Sequence, residues 1–318
     1  MMNELYSIGL IPVIKIENPD DAIPLAKALI DGGLPAAEIT FRTSCAAEAI
    51  KNITEAYPEM LVGAGTVLTC EQVDAAIAAG SKFLVSPGLN PKVTAYALSK
   101  GITMLPGCSN PSDIEAALEL GLKTVKFFPA EAAGGLKMLK AMAAPYGQLN
   151  FMPTGGINAD NLLDYLKFNK IVACGGSFMV ADQLVKDKKW EEITALTRDA
   201  VKKMLGLEFL HMGINNENKE EAEKAAKLFA LMFGMPLRET SKSTFASEAF
   251  EFMHGKGPGL HGHIAIRTNF VDRAMAYFKR MGFEFDESTV TYDEKSGKPK
   301  FAYFKDEVCG FAIHLVQK

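Results

Sequence analysis

The first two thirds of this 318-residue chain contains no histidine: all five lie beyond residue 210. That absence removes His-based general bases, Ser–His and Cys–His nucleophiles and most transition-metal sites from that region. Cysteine is also sparse. Five residues, at positions 45, 70, 108, 174 and 309, are odd in number and form no CxxC pair, so they read as reduced thiols of a cytoplasmic protein. A net charge of -4 offers no basic footprint for nucleic acid or an anionic membrane. The opening MMNELYSIGLIPVIKIENPD lacks a basic n-region, and Pro12 and Lys15 interrupt its short apolar run. It reads as neither signal peptide nor membrane span. No GxGxxG follows the first apolar run, which counts against a dinucleotide-binding open sheet, the alternative architecture.

What is present is a repeating alternation. Short apolar runs occupy 10–16, 36–41, 61–66, 83–88, 102–107, 124–129, 151–156 and 171–176. Amphipathic segments such as DDAIPLAKALIDGG and NPSDIEAALELG lie between them, several opening on Asn, Asp or Ser and closing on Gly. Eight βα units in about 205 residues predict an α/β fold, a (β/α)8 TIM barrel over residues 1–206. Six of the strands end in Gly, Pro or Thr, where loops crowd a barrel's C-terminal mouth.

One of these strands carries a charge. In TVKFFPAE, Lys126 sits among Val125, Phe127 and Phe128, where an amine must be paired or neutral. Strand parity puts Lys126 and Phe128 on one face, and Glu38, Thr40 and Arg42 of AEITFR on one face of the second strand. Strands 2 and 6 are opposite in an eight-membered ring, so these groups are expected to converge across its lumen. Lys15, on the first strand, is expected to add a supporting cation. A Glu–Lys ion pair in the barrel core is the bland alternative. The seventh and eighth strands end in PTGGIN and CGGSFM, whose paired glycines suit backbone N–H contacts to a phosphate, with Ser177 adding a hydroxyl. The cysteines before residue 207 are read as packing residues, and Glu131 as capping the loop after its strand.

EITFRT, VGAGT, SPG, KFFPAE, PTGGI and GGS, in this order, resemble the 2-keto-3-deoxy-6-phosphogluconate and 4-hydroxy-2-oxoglutarate aldolases. The resemblance implies a lyase, a pyruvate-dependent class I aldolase whose Schiff-base lysine is Lys126 and whose proton-transfer carboxylate is Glu38. It implies substrate contacts at Arg42, Thr66, Pro87, Phe128, Thr154, Gly155, Gly156, Gly175, Gly176 and Ser177. No cofactor is implied for this site. The partners it implies are a phosphorylated or dicarboxylic 2-oxo acid and a homotrimer. Two alternatives stand beside it: a phosphate-binding barrel enzyme without an imine, and an idle barrel carrying a ligand-sensing domain.

Residues 207–318 read as a smaller α+β domain. LHMGINNENKEEAEKAAKLFALMFGMPL and GHIAIRTNFVDRAMAYFKRMGFEF share a strand–helix–strand plan, each followed by a terminal strand, AFEFMHG or GFAIHLVQ. The plan resembles the paired βαβββ modules of the glyoxalase/bleomycin-resistance family, with the first module about one strand short. That resemblance implies a divalent-metal site at His211, Glu251, His263 and His314, with His314 standing where glutamate is usual. The alternative is that these are strand histidines used in packing. His254 and His261 flank HGKGPGLHGH and are expected in solvent.

Overall fold

The computed structural model describes residues 1–318, which fall into two compact units, Met1–Met204 and Leu205–Lys318. In the first unit the strands are β1 (Leu10–Ile14), β2 (Ala36–Thr40), β3 (Leu61–Gly65), β4 (Phe83–Val85), β5 (Thr103–Leu105), β6 (Gly107–Cys108), β7 (Thr124–Phe127), β8 (Asn150–Pro153) and β9 (Cys174–Gly176). Every apolar run of the sequence is a strand, and ITMLPG supplies both β5 and β6, separated at Pro106. All pairings are parallel. One sheet runs β9–β1–β2–β3–β4–β5 and a second β6–β7–β8. Single bridges join Phe151 to Ile171 and Thr154 to Gly175, at the edge between β8 and β9. The unit is therefore α/β with a curled parallel sheet.

These strands are covered on both sides, as parallel sheets are, and their residues are almost all buried. Caps set the helix starts: the Asn18, Asn90 and Asn110 side chains and the Thr69 hydroxyl each accept from backbone N–H groups of the first turn, and Pro91 and Pro111 open two of the helices.

The second unit is mostly sheet. Its strands are β10 (Glu208–Ile214), β11 (Leu237–Glu239), β12 (Ser243–Ala246), β13 (Phe250–Met253), β14 (Gly262–Thr268), β15 (Thr291–Tyr292), β16 (Pro299–Val308) and β17 (Phe311–Gln317). They form one sheet in the order β11-β12-β13-β10-β14-β17-β16-β15. Helix Lys219–Phe233 follows β10 and helix Val271–Arg280 follows β14, so each half is strand, helix, three strands. The first half is therefore not a strand short. The strand of this half missed in the sequence is β12, four buried residues whose Ser, Thr and Ala carry no apolar alternation. The halves meet at an antiparallel pairing of β10 with β14, and the order mirrors about it. Helix Lys219–Phe233 buries Ala222 and Ala226 with Ala246 and Phe252. No helix of either unit is long and apolar enough to cross a membrane.

Candidate active site and a histidine cluster

Lys126 is the third residue of β7 and is 5% exposed. Its Nζ lies 3.5 Å from Oε1 of Glu38, the fully buried third residue of β2. The Phe128 ring, half-buried just beyond β7, sits with its centroid 5.1 Å from the same nitrogen. Two ionisable groups inside a sheet of apolar residues are costly unless each satisfies the other. Only part of that need is met, because Glu38 Oε2 has no hydrogen-bond partner. A buried carboxylate oxygen left open is an acceptor waiting for a hydroxyl.

Glu38 can occupy this position because its neighbour on β3 is glycine. A Cβ on Gly65 would stand 2.2 Å from Glu38 Oε1, and one on Gly63 would stand 2.3 Å from the Phe83 ring. Gly65 had no role assigned from the sequence. The signal that could have found it is its place on a strand next to the one that carries the inward carboxylate.

Arg42 lies in the exposed turn after β2 and its Nε donates to Thr40 Oγ1 at 3.1 Å. The Thr40 hydroxyl in turn donates to the Ile14 carbonyl at 3.0 Å. Thr66, directly after β3, adopts the left-handed conformation at φ +58°. The backbone on both sides holds it there: Gly65 O accepts from Phe41 N at 2.7 Å and Val67 N donates to Val85 O at 3.1 Å. Pro87 follows β4, and its carbonyl would meet a Cβ at Gly107 at 2.0 Å, so that glycine admits the loop.

The two glycine pairs have different jobs. Gly155 and Gly156, at φ +99° and +82°, form a left-handed turn beyond β8, which only glycine takes without strain. Gly176 and Gly175 lie within β9, and Gly175 makes room for the Thr154 side chain, whose Oγ1 would be 2.4 Å from a Cβ there. Thr154 Oγ1 is buried and has no partner. Ser177 is exposed at the end of β9.

Three expectations need correction. Lys15 stands beyond the last residue of β1 and pairs with Glu17 at 2.5 Å, not with the buried Lys126–Glu38 pair. The Glu131 carboxylate does not cap its loop; it accepts from the Tyr165 hydroxyl, whose pKa is raised by burial and by that bond. His254 is half-buried, with Nε2 2.9 Å from Thr244 Oγ1, while His261 is exposed as expected. Burial, reinforced by Asp113, pushes the Cys108 thiol up to about 12, so it is no nucleophile at neutral pH.

In the second unit the four residues singled out come from adjacent strands: Glu251 on β13, His211 on β10, His263 on β14 and His314 on β17. His211 Nε2 lies 3.0 Å from His263 Nε2, and each of these nitrogens is 3.2 Å from Glu251 Oε2. The three histidines' ligand atoms all lie within 4.8 Å of one another. Ser243 Oγ donates to Glu251 Oε1 at 2.6 Å, orienting the other oxygen toward the histidines. Burial opposes the Glu251 charge, but the hydrogen bonds from His211, His263 and Ser243 outweigh it and hold the carboxyl well below its usual range. Burial, aided by the neighbouring His263 and His211, depresses His314 to about 3, so it is neutral at physiological pH. Phe301 and Tyr303 pack on His314 with ring centroids 4.6 and 4.9 Å away. Opposite His263 stands Gly213, where a Cβ would fall 2.0 Å from the imidazole.

Known proteins resemble the first unit. A family model described as KDPG and KHG aldolase matches residues 1–196. The 2-dehydro-3-deoxy-phosphogluconate aldolase of Haemophilus influenzae is 48% identical over 201 residues, covering 63% of this chain and 95% of its own length. The KHG/KDPG aldolase of Escherichia coli is 42% identical over 192 residues, covering 60% of this chain and 90% of its own. Among solved structures, the KDPG aldolase of Legionella pneumophila with pyruvate captured as a covalent carbinolamine is 37% identical, at a TM-score of 0.61, covering 63% of this chain and 98% of that one. With a family model spanning well over half its length and these relatives covered almost end to end, this chain belongs to the KDPG and KHG aldolase family and is a pyruvate-dependent aldolase, a carbon–carbon lyase.

Proposed function

We propose that the first unit is a class I aldolase that works through an imine on Lys126. It would cleave 2-keto-3-deoxy-6-phosphogluconate to pyruvate and glyceraldehyde 3-phosphate, 4-hydroxy-2-oxoglutarate to pyruvate and glyoxylate, or both. The observation that carries this reading is the buried Lys126 amine 3.5 Å from a carboxylate whose second oxygen is open. The neutral amine attacks the C2 ketone to give a carbinolamine, which loses water to become a protonated imine. Glu38 Oε2 takes the proton of the C4 hydroxyl as the C3–C4 bond breaks, its electrons passing into the imine to leave an enamine and the aldehyde. A proton returned to C3 restores the imine, and water releases pyruvate. Phe128 shields the nitrogen from solvent, which strengthens the charge interactions of these steps.

Arg42 is suited to grip the substrate carboxylate with two N–H groups, with Thr66 adding a hydroxyl. The left-handed turn at Gly155 and Gly156, with Ser177, suits the phosphate of the second product. The carbinolamine captured in the Legionella relative and the 3-phosphoglycerate in a Zymomonas mobilis relative support the two ends of this assignment. The strand pairings and edge bridges support a closed (β/α)8 barrel. The family resemblance adds a cytoplasmic homotrimer. The test is borohydride reduction in the presence of pyruvate followed by peptide mapping. An adduct of about 72 Da on Lys126, absent in Lys126→Ala, is the expected result; an adduct elsewhere, or none, overturns the imine.

A second reading concerns residues 205–318. The strand–helix–three-strand repeat supports a likeness to glyoxalase/bleomycin-resistance proteins, and the cluster fits a divalent cation. The three atoms His211 Nε2, His263 Nε2 and Glu251 Oε2 stand 3.0–3.2 Å apart, a spacing at which one ion can touch all three at ordinary bond lengths of about 2.1 Å. His314 supplies a fourth donor. Imidazole and carboxylate ligands suit Zn²⁺, Ni²⁺, Mn²⁺ or Fe²⁺, which would act there as a Lewis acid. Titrating metal-stripped protein with Zn²⁺ or Ni²⁺ should give one site per chain and a raised melting temperature, both lost in Glu251→Ala. Absence of saturable binding overturns it.

A further inference from the structure

We infer that Thr40 is a positioning residue that aims Arg42 at the substrate carboxylate, an inference that rests on the aldolase reading above. Thr40 is 2% exposed, the last residue of β2, two positions from Glu38 on the same face. A hydroxyl has one proton to give. Here it goes to the Ile14 carbonyl of the neighbouring strand at 3.0 Å, so toward Arg42 the oxygen can only accept. Arg42 Nε donates to it at 3.1 Å, the one hydrogen bond this side chain makes, and no carboxylate of the chain pairs with it.

The consequence is directional. An arginine in an exposed turn ordinarily samples many rotamers, and ordering it against a ligand opposes binding. Fixing Nε to a buried oxygen on a strand holds the guanidinium plane before substrate arrives. Nε is used, so the terminal nitrogens keep their N–H groups for a planar anion. The chain Ile14 carbonyl, Thr40 hydroxyl and Arg42 guanidinium thus ties two strands of the sheet to the carboxylate end of the substrate. Glu38 and Lys126 act at C2 to C4, so Thr40 should govern binding more than turnover.

The experiment compares Thr40→Val, which keeps the branched shape without the hydroxyl, with Thr40→Ser, which keeps the hydroxyl, in steady-state cleavage assays and in product inhibition by pyruvate and by glyceraldehyde 3-phosphate. Thr40→Val should raise KM and the pyruvate inhibition constant about tenfold, the scale of one hydrogen bond to a charged group, with kcat changed less than about twofold. Thr40→Ser should restore both constants. Inhibition by glyceraldehyde 3-phosphate, which lacks the carboxylate, should be the same in all three proteins, and Thr40→Val should add nothing in an Arg42→Ala background. Unchanged KM, a fall in kcat at constant KM, or an equal penalty on Arg42→Ala overturns the inference. If Thr40→Val fails to fold by circular dichroism, Thr40→Ala reads the same constants. Borohydride trapping on the parent protein separates the two failures: no adduct with pyruvate sinks the imine reading, whereas a normal adduct with unmoved constants in the variants sinks only the role of Thr40.

Discussion

Replacing Gly65 with alanine should disable proton transfer while leaving the fold and the imine intact. The added Cβ would stand 2.2 Å from Glu38 Oε1, 2.8 Å from its Cγ and 2.9 Å from its carboxyl carbon. Ordinary contacts begin near ~3.4 Å, so the carboxylate must retreat by about 1 Å. It has little room, since Glu38 is fully buried and its other contact is Lys126. A misplacement of about 1 Å from the reacting geometry costs on the order of 10²-fold in rate, or about 2.7 kcal/mol of transition-state stabilisation. Gly65 does not have a positive φ, so alanine meets no backbone strain there and the sheet should form. The assay couples pyruvate release to NADH oxidation, with borohydride trapping run in parallel. Expected are a kcat near one hundredth of the parent's, a melting temperature within a few degrees of it, and a persistent adduct on Lys126. A Gly65→Ala protein with kcat within about threefold of the parent would refute the claim that Glu38 must occupy its observed position to act.

Other outcomes follow from the same geometry. Gly213→Ala places a methyl 2.0 Å from the His263 ring and should lower the melting temperature of the second unit, by about 1–3 kcal/mol of overpacking, and abolish Zn²⁺ binding in calorimetry. A chain ending after Met204 retains the whole packed first unit and should keep kcat within about twofold in the coupled assay, because Lys126, Glu38 and their contacts all lie within it. Thiol titration of native protein should modify Cys309, which is exposed, and spare Cys108 and Cys174, which are buried, until denaturant is added. Gly156→Ala, at φ +82° and with a Cβ 2.6 Å from Glu131, should weaken glyceraldehyde 3-phosphate inhibition more than pyruvate inhibition, measured as the ratio of the two constants.

The convergence of Lys126 on Glu38 was legible because two simple periods compose. Residues alternate along a strand, and the expected ring of eight puts its second and sixth strands opposite one another, so two inward residues on those strands were expected to face each other. Lys15 behaved differently: it stands one residue past the end of β1, and its amine pairs with Glu17. The histidine cluster was legible for a different reason. The repeat puts His211 and His263 on the opening strands of its two halves and Glu251 and His314 on their terminal strands, and these four strands are neighbours in the sheet. What escaped was whatever depends on neighbours distant in sequence. The hydrogen bond from Arg42 to Thr40 is a two-residue relation, but its purpose depends on Ile14, and the bond that fixes Glu131 comes from Tyr165. Strand β12 escaped because STFA has no apolar alternation and takes its place from pairing with β11 and β13.

One pattern joins the two units. A polar side chain that must stand inside or against a sheet needs space that the pleat does not supply, and in each case glycine on an adjacent strand supplies it. Gly65 admits Glu38, Gly175 admits Thr154 and Gly213 admits His263, each with a Cβ position 2.0–2.4 Å from the functional group. Glycine within a strand weakens it, through backbone entropy and lost packing, so the structure gives up stability at these points. The loss is local and falls beside groups whose own burial is already unfavourable, namely a carboxylate, an unpartnered hydroxyl and an imidazole in a charged cluster. A strand glycine on the strand adjoining a buried polar residue is therefore a stronger mark of function than either residue alone. In VGAGT both glycines meet that condition, Gly63 as the direct register partner of Glu38, and the Cβ distances separate them: Gly65 makes room for Glu38, Gly63 for the Phe83 ring.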